Sequence, residues 1–388
     1  TNAVPSLTKD VTKLIETKVW TYDEYDNVLT EKTSPYGESS LSTTVSWTYD
    51  NSHRRVASET DAQGRTKRYA SYSKFGKPTT IIDHRGDTTS ISYDTWGNLL
   101  ENVSPDGTHA TVSSSWGGTG LYTVMERSNI APAVVTDYDS YGRKIRTATQ
   151  CYDGRWRIVD YEYDAKGRIS RTSLPFRAAS PEDGGEKLWN VTAYDVYGRK
   201  TSEVLASGNR TTCEYHDNSV IETKNGVAVS RTYDAYGNLV LVSDAGGTLT
   251  YSLRTDGRPL SVSDSKGTVT KFGYDGYGRR SSIEDPSAGK TTDSYSVSNG
   301  QIVHTVKNPN GTIVTYTDAF GRVVKIDRQG EFQTEFSYNE DGQLVSEVST
   351  NGTKKVCSYD SFGRLVSEKE TIPDGKWLET AYSYDFGT

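Results

Sequence analysis

Short runs of about six residues, rich in β-branched and aromatic side chains, alternate along this chain with polar breaks that contain glycine; Asn238-Leu-Val-Leu-Val-Ser243 and Thr248-Leu-Thr-Tyr-Ser-Leu253 are two such runs. They are too short for helices and read as strands. The breaks share one grammar, seen in Asp264-Ser-Lys-Gly267, Asp244-Ala-Gly-Gly247, Asn308-Pro-Asn-Gly311, Asp327-Arg-Gln-Gly330 and Ser349-Thr-Asn-Gly352. Asp or Asn opens a type I turn by accepting a backbone N–H, two permissive residues follow, and Gly takes the positive-φ place of a G1 bulge. A hairpin loop at about every tenth or eleventh residue gives some 34 antiparallel strands, each about 20 Å long and about 4.8 Å from its neighbour. A twisted strip of that extent cannot lie flat. The expected fold is therefore all-β: tandem antiparallel β-hairpin repeats forming a curved or spiralling single-layer ribbon.

The strands are organised by a hexad. Tyr138, Asp139, Gly142 and Arg143 recur as Tyr163, Asp164, Gly167 and Arg168, then as Tyr194, Asp195, Gly198 and Arg199. Two further full copies place Tyr274, Asp275, Gly278 and Arg279, and Tyr359, Asp360, Gly363 and Arg364, in the same spacing. Variants begin at Tyr22, Tyr49, Tyr72, Tyr93, Tyr215, Tyr233, Leu253, Tyr295, Thr317, Tyr338 and Tyr384, and a degraded copy lies near Trp116. About 17 units at a spacing of roughly 21 residues make one continuous array over 1–388, interrupted by a longer loop at 175–189. No separate catalytic or toxin domain is expected. Within the hexad, Tyr supplies buried area, Asp closes the turn, Gly permits it, and Arg is placed to pair with an Asp or to stack on a Tyr of a neighbouring hairpin. An exposed pair of that kind contributes under about 1 kcal/mol, so summed ring burial outweighs the charges.

Composition narrows the picture. Only 33% of residues are apolar, mean hydropathy is −0.69, and the aromatic content is mainly 27 Tyr, which argues against a thick aliphatic core. The abundance of Tyr, Val, Ile, Trp and Thr argues against disorder. Net charge is −7, with 44 basic and 51 acidic side chains intermixed, so no basic stripe follows a phosphate backbone and nucleic acid is not an expected partner. No stretch reaches the roughly 18 to 20 apolar residues of a membrane-spanning helix. Thr1 to Pro5 show neither a start Met nor a signal-peptide pattern, and the chain reads as an excised piece. Cys151, Cys213 and Cys357 have no metal or disulfide spacing; Cys213 and Cys357 each stand two residues before a motif Tyr and read as buried small strand residues.

A tandem Tyr-Asp-x-x-Gly-Arg hexad with a second turn midway resembles the Rhs or YD-repeat family, which includes bacterial polymorphic toxins, the C components of insecticidal toxin complexes and the teneurins. The resemblance runs from about residue 13 to 385. It implies a β-ribbon spiralling into a hollow shell, a secreted or cell-surface setting and, in bacterial members, a C-terminal toxin domain held inside. The connection from Leu174 through Pro181 to Trp189 is similar to an insertion of the bacterial members. The self-cleaving core of those members is not matched, since Asp285-Pro-Ser-Ala-Gly289 is a mid-repeat turn.

Candidate chemistry is sparse. His53, His84, His109, His216 and His304 have no triad or metal spacing and read as solvent-exposed turn or strand residues, and the acidic pairs Asp23 with Asp26 and Asp83 with Asp87 fall where turns want them. Gly117-Gly-Thr-Gly120 lacks the Lys of a phosphate loop. No cofactor or metal is expected. The best candidate is an aromatic row just before the turn Gly: Phe75, Trp96, Tyr141, Tyr197, Tyr236, Tyr277, Phe320 and Phe362, with Tyr25 equivalent. Successive rings lie two strands apart, about 9.6 Å, beyond direct stacking. Either side chains of the intervening strand or sugar rings fill the gap. Three functions follow in order: a structural wall segment enclosing a C-terminal effector, a carbohydrate-binding or adhesion module using the aromatic rim, and an enzyme acting on a polymer. The expected partners are flanking repeats and an enclosed C-terminal domain of the same polypeptide, glycans at the rim, and a second copy at the edge strands near Lys13–Tyr22 and Trp377–Tyr384.

Overall fold

The computed structural model describes Lys13 and residues 15–384. Its described residues form 34 strands and one 3-10 turn, Ser39–Leu41, and the strands make a single antiparallel sheet. Strands joined by hairpins pair with each other, and this local pairing continues along the chain.

The hexads close the turns as their residue types require. Between the strands Val134–Tyr138 and Lys144–Gln150, Gly142 N–H donates to Asp139 O at 3.0 Å and Asp139 N–H donates to Arg143 O at 3.0 Å. Gly142 has φ 73°, and the register slips by one residue at Tyr138. A type I turn followed by a left-handed glycine gives this G1 bulge. Three of the five mid-repeat breaks cited above follow another rule. Asp244 pairs directly with Gly247, and Asn308 with Gly311, so these loops hold two residues and the glycine begins the next strand. At Asp327–Gly330 the pairing continues to Arg328 and Phe332, leaving a loop of residues 329–331.

Contacts divide the described residues into two compact units, one of residues 13–88 with 251–384 and one of residues 89–250. In the first unit, segments distant in sequence lie side by side. Arg65 Nη1 donates to Asp341 O across 276 residues at 2.5 Å, and His84 pairs with Asp341 across 257. Lys13 N–H donates to Gly276 O at 2.9 Å, so the first expected edge has a backbone contact within its own unit. Strand Trp377–Ala381, at the second expected edge, pairs along one side with Leu365–Thr371 and is exposed throughout.

The second unit holds the densest packing. Strand Trp156–Tyr163 pairs its later half with Ile169–Ser173 and its earlier half with Phe176–Ala178, and the chain from 179 to 188 leaves the ladder before Trp189–Tyr194 resumes it. Under this insertion Val135, Ala148, Trp156 and Ile158 are buried, with Met125, Ala133, Phe176 and Ala178 packed around them. Buried Arg146 donates to Asp160 at 2.7 and 3.0 Å and to the carbonyls of Pro181 and Asp183, each at 3.1 Å. Lys187 completes the node at 2.6 Å from Asp160. Burial alone would raise the Asp160 carboxyl, but hydrogen bonds from Arg146 and Lys187 overcome it and hold it below the usual carboxylate range.

Candidate functional site

The hexad side chains form a ladder along the sheet. In six hexads the Arg Nε donates to Asp Oδ2 of the same hexad at 2.7 or 2.8 Å, joining Asp139 to Arg143, Asp164 to Arg168, Asp195 to Arg199, Asp275 to Arg279, Asp318 to Arg322 and Asp360 to Arg364. Each of these guanidinium groups also lies over the Tyr of the following hexad, at 4.6 Å for Arg143 on Tyr163, 4.5 Å for Arg168 on Tyr194 and 4.1 Å for Arg279 on Tyr295. The sequence offered an ion pair or a stack as alternatives. Arginine does both, because its planar fork can hold a carboxylate along one edge and present a face to a ring.

The Tyr hydroxyl has a role the sequence did not suggest. Tyr163 donates to Lys144 O at 2.7 Å, Tyr194 to Ile169 O at 2.9 Å and Tyr359 to Leu344 O at 2.8 Å, each carbonyl belonging to the residue just after the preceding hexad. Tyr49, Tyr215, Tyr274, Tyr338 and Tyr384 do the same, and Tyr72 reaches Val56 O, one residue further on because the preceding turn is one residue longer. Burial raises the phenol of Tyr163, Tyr274 and Tyr359 above the ordinary value. A constant preference for Tyr over Phe at this position was the available signal. The hexad rings are half-buried, and fully buried apolar side chains are few among the described residues.

Each turn Asp accepts two backbone N–H groups on Oδ1, as Asp139 does from Tyr141 and Arg143 at 2.9 Å. The side-chain bond from Arg168 and the backbone N–H of Arg168 hold Asp164 below the usual carboxylate range. Where Asn replaces Arg, as at Asn98 and Asn238, the amide still donates to the turn Asp, at 2.9 and 3.0 Å. Asn has no cation to place over the next ring.

The aromatic row divides by unit. In the second unit Trp96, Tyr141, Tyr197 and Tyr236 are 84%, 82%, 81% and 92% exposed. In the first unit Tyr25, Phe75 and Phe320 are about half exposed, while Tyr277 and Phe362 are half-buried. The space beside Tyr141, Tyr197, Tyr277, Phe320 and Phe362 is taken by the hexad's own Arg at 4.7–5.2 Å. At these five positions the latch to Asp swings the guanidinium back beside the ring.

The histidines correct the sequence reading at one place. His53, His84, His109 and His216 are exposed, but His304 is half-buried, donating or accepting at 2.9 Å with buried Asp293 and stacked on Tyr295 at 4.3 Å. Cys357 is buried, whereas Cys151 and Cys213 are half-buried, so the equivalence of Cys213 and Cys357 in the repeat does not extend to their packing. Among the described residues no three His, Cys, Asp or Glu side chains are grouped to hold a metal ion, and no helix is long and apolar enough to cross a membrane. A cleft of about 790 Å³ in the first unit is lined by Arg65, Arg68, His84, Phe320, Arg322 and Glu340 among others. It lies between the two sequence segments of that unit and is flanked by the contacts that join them.

Comparison with known proteins gives this ladder its context. Residues 5–177 match the Teneurin YD-shell family and residues 255–290 the RHS Repeat family. The tRNA3(Ser)-specific nuclease WapA of Bacillus spizizenii is 25% identical over 220 residues, 55% of this chain and 8% of that protein. The Double-stranded DNA deaminase toxin A of Burkholderia cenocepacia is 26% identical over 152 residues, 39% of this chain and 9% of that protein. In fold, the chain is similar to one in the crystal structure of TcdB2-TccC3-Cdc42, with TM-score 0.54 and 12% identity over 95% of this chain and 31% of that one. It therefore spans under a tenth of the length of these two curated relatives and about a third of the solved chain. With its hexads, its 34-stranded antiparallel sheet and these matches in agreement, the chain belongs to the Rhs/YD-repeat family.

Proposed function

We propose that this chain is a wall segment of a YD-repeat shell that encloses a C-terminal effector domain of a longer, exported polypeptide, and that the wall has no catalysis of its own. The observation that carries this reading is the ladder. The Tyr, Asp and Arg of the hexad join one hairpin to the next, through an Asp latch, an Arg stack and a Tyr hydroxyl bond. Such a sheet is self-supporting without a thick core, which suits a barrier. Two relatives whose names describe a nuclease and a deaminase toxin, each far longer than the matched region, support a larger parent with its activity elsewhere. The partners of the segment are then the flanking repeats and the enclosed domain. Limited proteolysis of the intact parent polypeptide tests this. Its C-terminal domain should resist protease until the wall is opened at a cleavage site engineered into the 180–187 loop. Equal cleavage rates for the enclosed and the separately expressed domain would refute enclosure.

A further inference from the structure

An asparagine followed by glycine can cyclise, because the glycine amide nitrogen attacks the side-chain carbonyl carbon with no side chain of its own in the way. The attack needs two free partners: a glycine N–H outside any hydrogen bond, and an asparagine amide able to turn toward it. The chain has four such pairs, Asn225-Gly226, Asn299-Gly300, Asn310-Gly311 and Asn351-Gly352, and the structure sorts them.

Three are restrained. The Asn225 side chain donates to Asn209 Oδ1 at 3.1 Å and accepts the Arg210 N–H at 3.0 Å. Gly352 N–H donates to Ser349 O at 3.0 Å, while the Asn351 side chain accepts from the Thr353 N–H and hydroxyl at 3.1 and 2.8 Å. Gly311 stands in the strand ladder opposite Asn308. The fourth pair differs. Strand pairing closes at Ser298 with Gln301, so Asn299 and Gly300 form a two-residue loop, and their φ angles of 52° and 71° are the positive pair of a type I′ turn. Asn299 is exposed, and among the described residues neither its side chain nor the Gly300 N–H has a hydrogen-bond partner.

We propose that Asn299 is a site of spontaneous deamidation, and that the isoaspartate formed there displaces Gly300 from the turn Ser39–Leu41. Gly300 N bonds to Asn299 Cγ, the Cγ–Nδ2 bond breaks, and ammonia leaves with the proton that the Gly300 amide gives up, closing a succinimide. Water then opens one of the two ring carbonyl–nitrogen bonds. Opening at Cγ gives aspartate on the original backbone; opening at the α-carbonyl gives isoaspartate, whose backbone runs through the side chain and is one carbon longer. That carbon falls where the tip is packed, since an atom at the Cβ place of Gly300 would lie 3.6 Å from Ser40 O, and the neighbouring Leu41 is fully buried. The chemistry does not depend on the enclosing role.

Incubation of the full 388-residue chain in mildly alkaline buffer, with peptide mapping of the four pairs, tests the proposal. In the native chain Asn299 should account for most of the converted asparagine. In urea all four should convert at comparable rates, because no fold restrains them. Folding should slow Asn225, Asn310 and Asn351 by about tenfold, the factor for breaking one restraining bond first, and should slow Asn299 least. Asn209→Ala, which removes the acceptor of the Asn225 amide, should speed conversion at Asn225 and leave Asn299 as it was. Conversion led by another pair, or Asn299 slowed by folding as much as the other three, would overturn the assignment. Amide exchange at Leu41 and Ser42, whose N–H groups close the 39–41 turn, should quicken in the isoaspartate form and stay unchanged in Asn299→Asp, which has the carboxylate without the longer backbone. Equal exchange in the isoaspartate and unconverted forms would overturn the displacement.

Discussion

The hydroxyl of Tyr163 donates to the backbone carbonyl of Lys144 at 2.7 Å while the guanidinium of Arg143 lies 4.6 Å over the same ring. One side chain thus secures the residue after the preceding hexad through its tip and the Arg of that hexad through its face. The repetition of this relationship explains how a sheet with few buried apolar residues holds its order: where the hexad is complete, a hairpin is fastened to its predecessor by a polar bond, a stack and the strand ladder together.

Removing the hydroxyl alone should be measurable. Tyr163→Phe and Tyr359→Phe are each expected to cost about 0.5–1.5 kcal/mol, the net value of a hydrogen bond. Amide hydrogen exchange should show the loss within the neighbouring hairpins, because contacts in a repeat array are local. Full protection retained in both variants would remove the hydroxyl from the ladder.

Arginine at the end of the hexad should not be replaceable by lysine. Arg168→Lys keeps a charge but loses the planar fork that reaches Asp164 and the face that covers Tyr194. A double-mutant cycle of Arg168→Ala with Tyr194→Leu should give a coupling of about 0.5–1 kcal/mol. Zero coupling would mean that proximity here carries no energy.

The turn aspartates make the sheet acid-sensitive in a defined window. Asp164, Asp234 and Asp264 are lowered from the ordinary 3.8 by bonds from Arg168, from Asn238 and from the Thr268 N–H. A carboxyl lowered on folding contributes stability that is fully present above the unfolded value and is lost as pH falls through the folded one. Urea denaturation should therefore show stability falling below about pH 4, while near neutral pH these groups contribute fully and the stability hardly varies with pH on their account. Asp164→Asn keeps the turn acceptor, as Asn339 does naturally for Gln343, and should flatten that fall.

Gly237, with φ 83° and no atom within 4 Å of an added Cβ, isolates the backbone cost of a hexad turn. Gly237→Ala should destabilise by about 1 kcal/mol with no steric contribution. An unchanged melting curve would show that the turn tolerates an ordinary residue in the left-handed region.

The buried node under the insertion should be the most costly place to cut. Arg146→Ala leaves Asp160 beside Lys187 with its principal partner gone and is expected to cost about 3 kcal/mol or more. Lys187→Ala, with the lysine partly exposed, should cost less. Chemical denaturation of the two variants side by side checks the order.

The strand positions, the hexad turns, the thinness of the core and the family resemblance were all legible in the sequence, because period, turn chemistry and composition are local properties. Asp139 and Gly142 state their turn within five residues, and the array repeats that statement. The mid-repeat turns were legible only in part: Asp244–Gly247 and Asp264–Gly267 look alike, yet their loops differ in length, since turn type depends on the register of the flanking ladder. What only the tertiary structure decided were relationships across distance. Nothing local places His84 against Asp341, 257 residues away, or makes Arg146 a buried anchor for the carbonyls of 181 and 183. The row of rings was visible as a pattern, but which members are covered was not. Tyr277 and Tyr236 occupy the same place in their hexads, yet Tyr36 and Lys13 pack on the first and not on the second, because exposure is set by what another segment of chain brings to the surface.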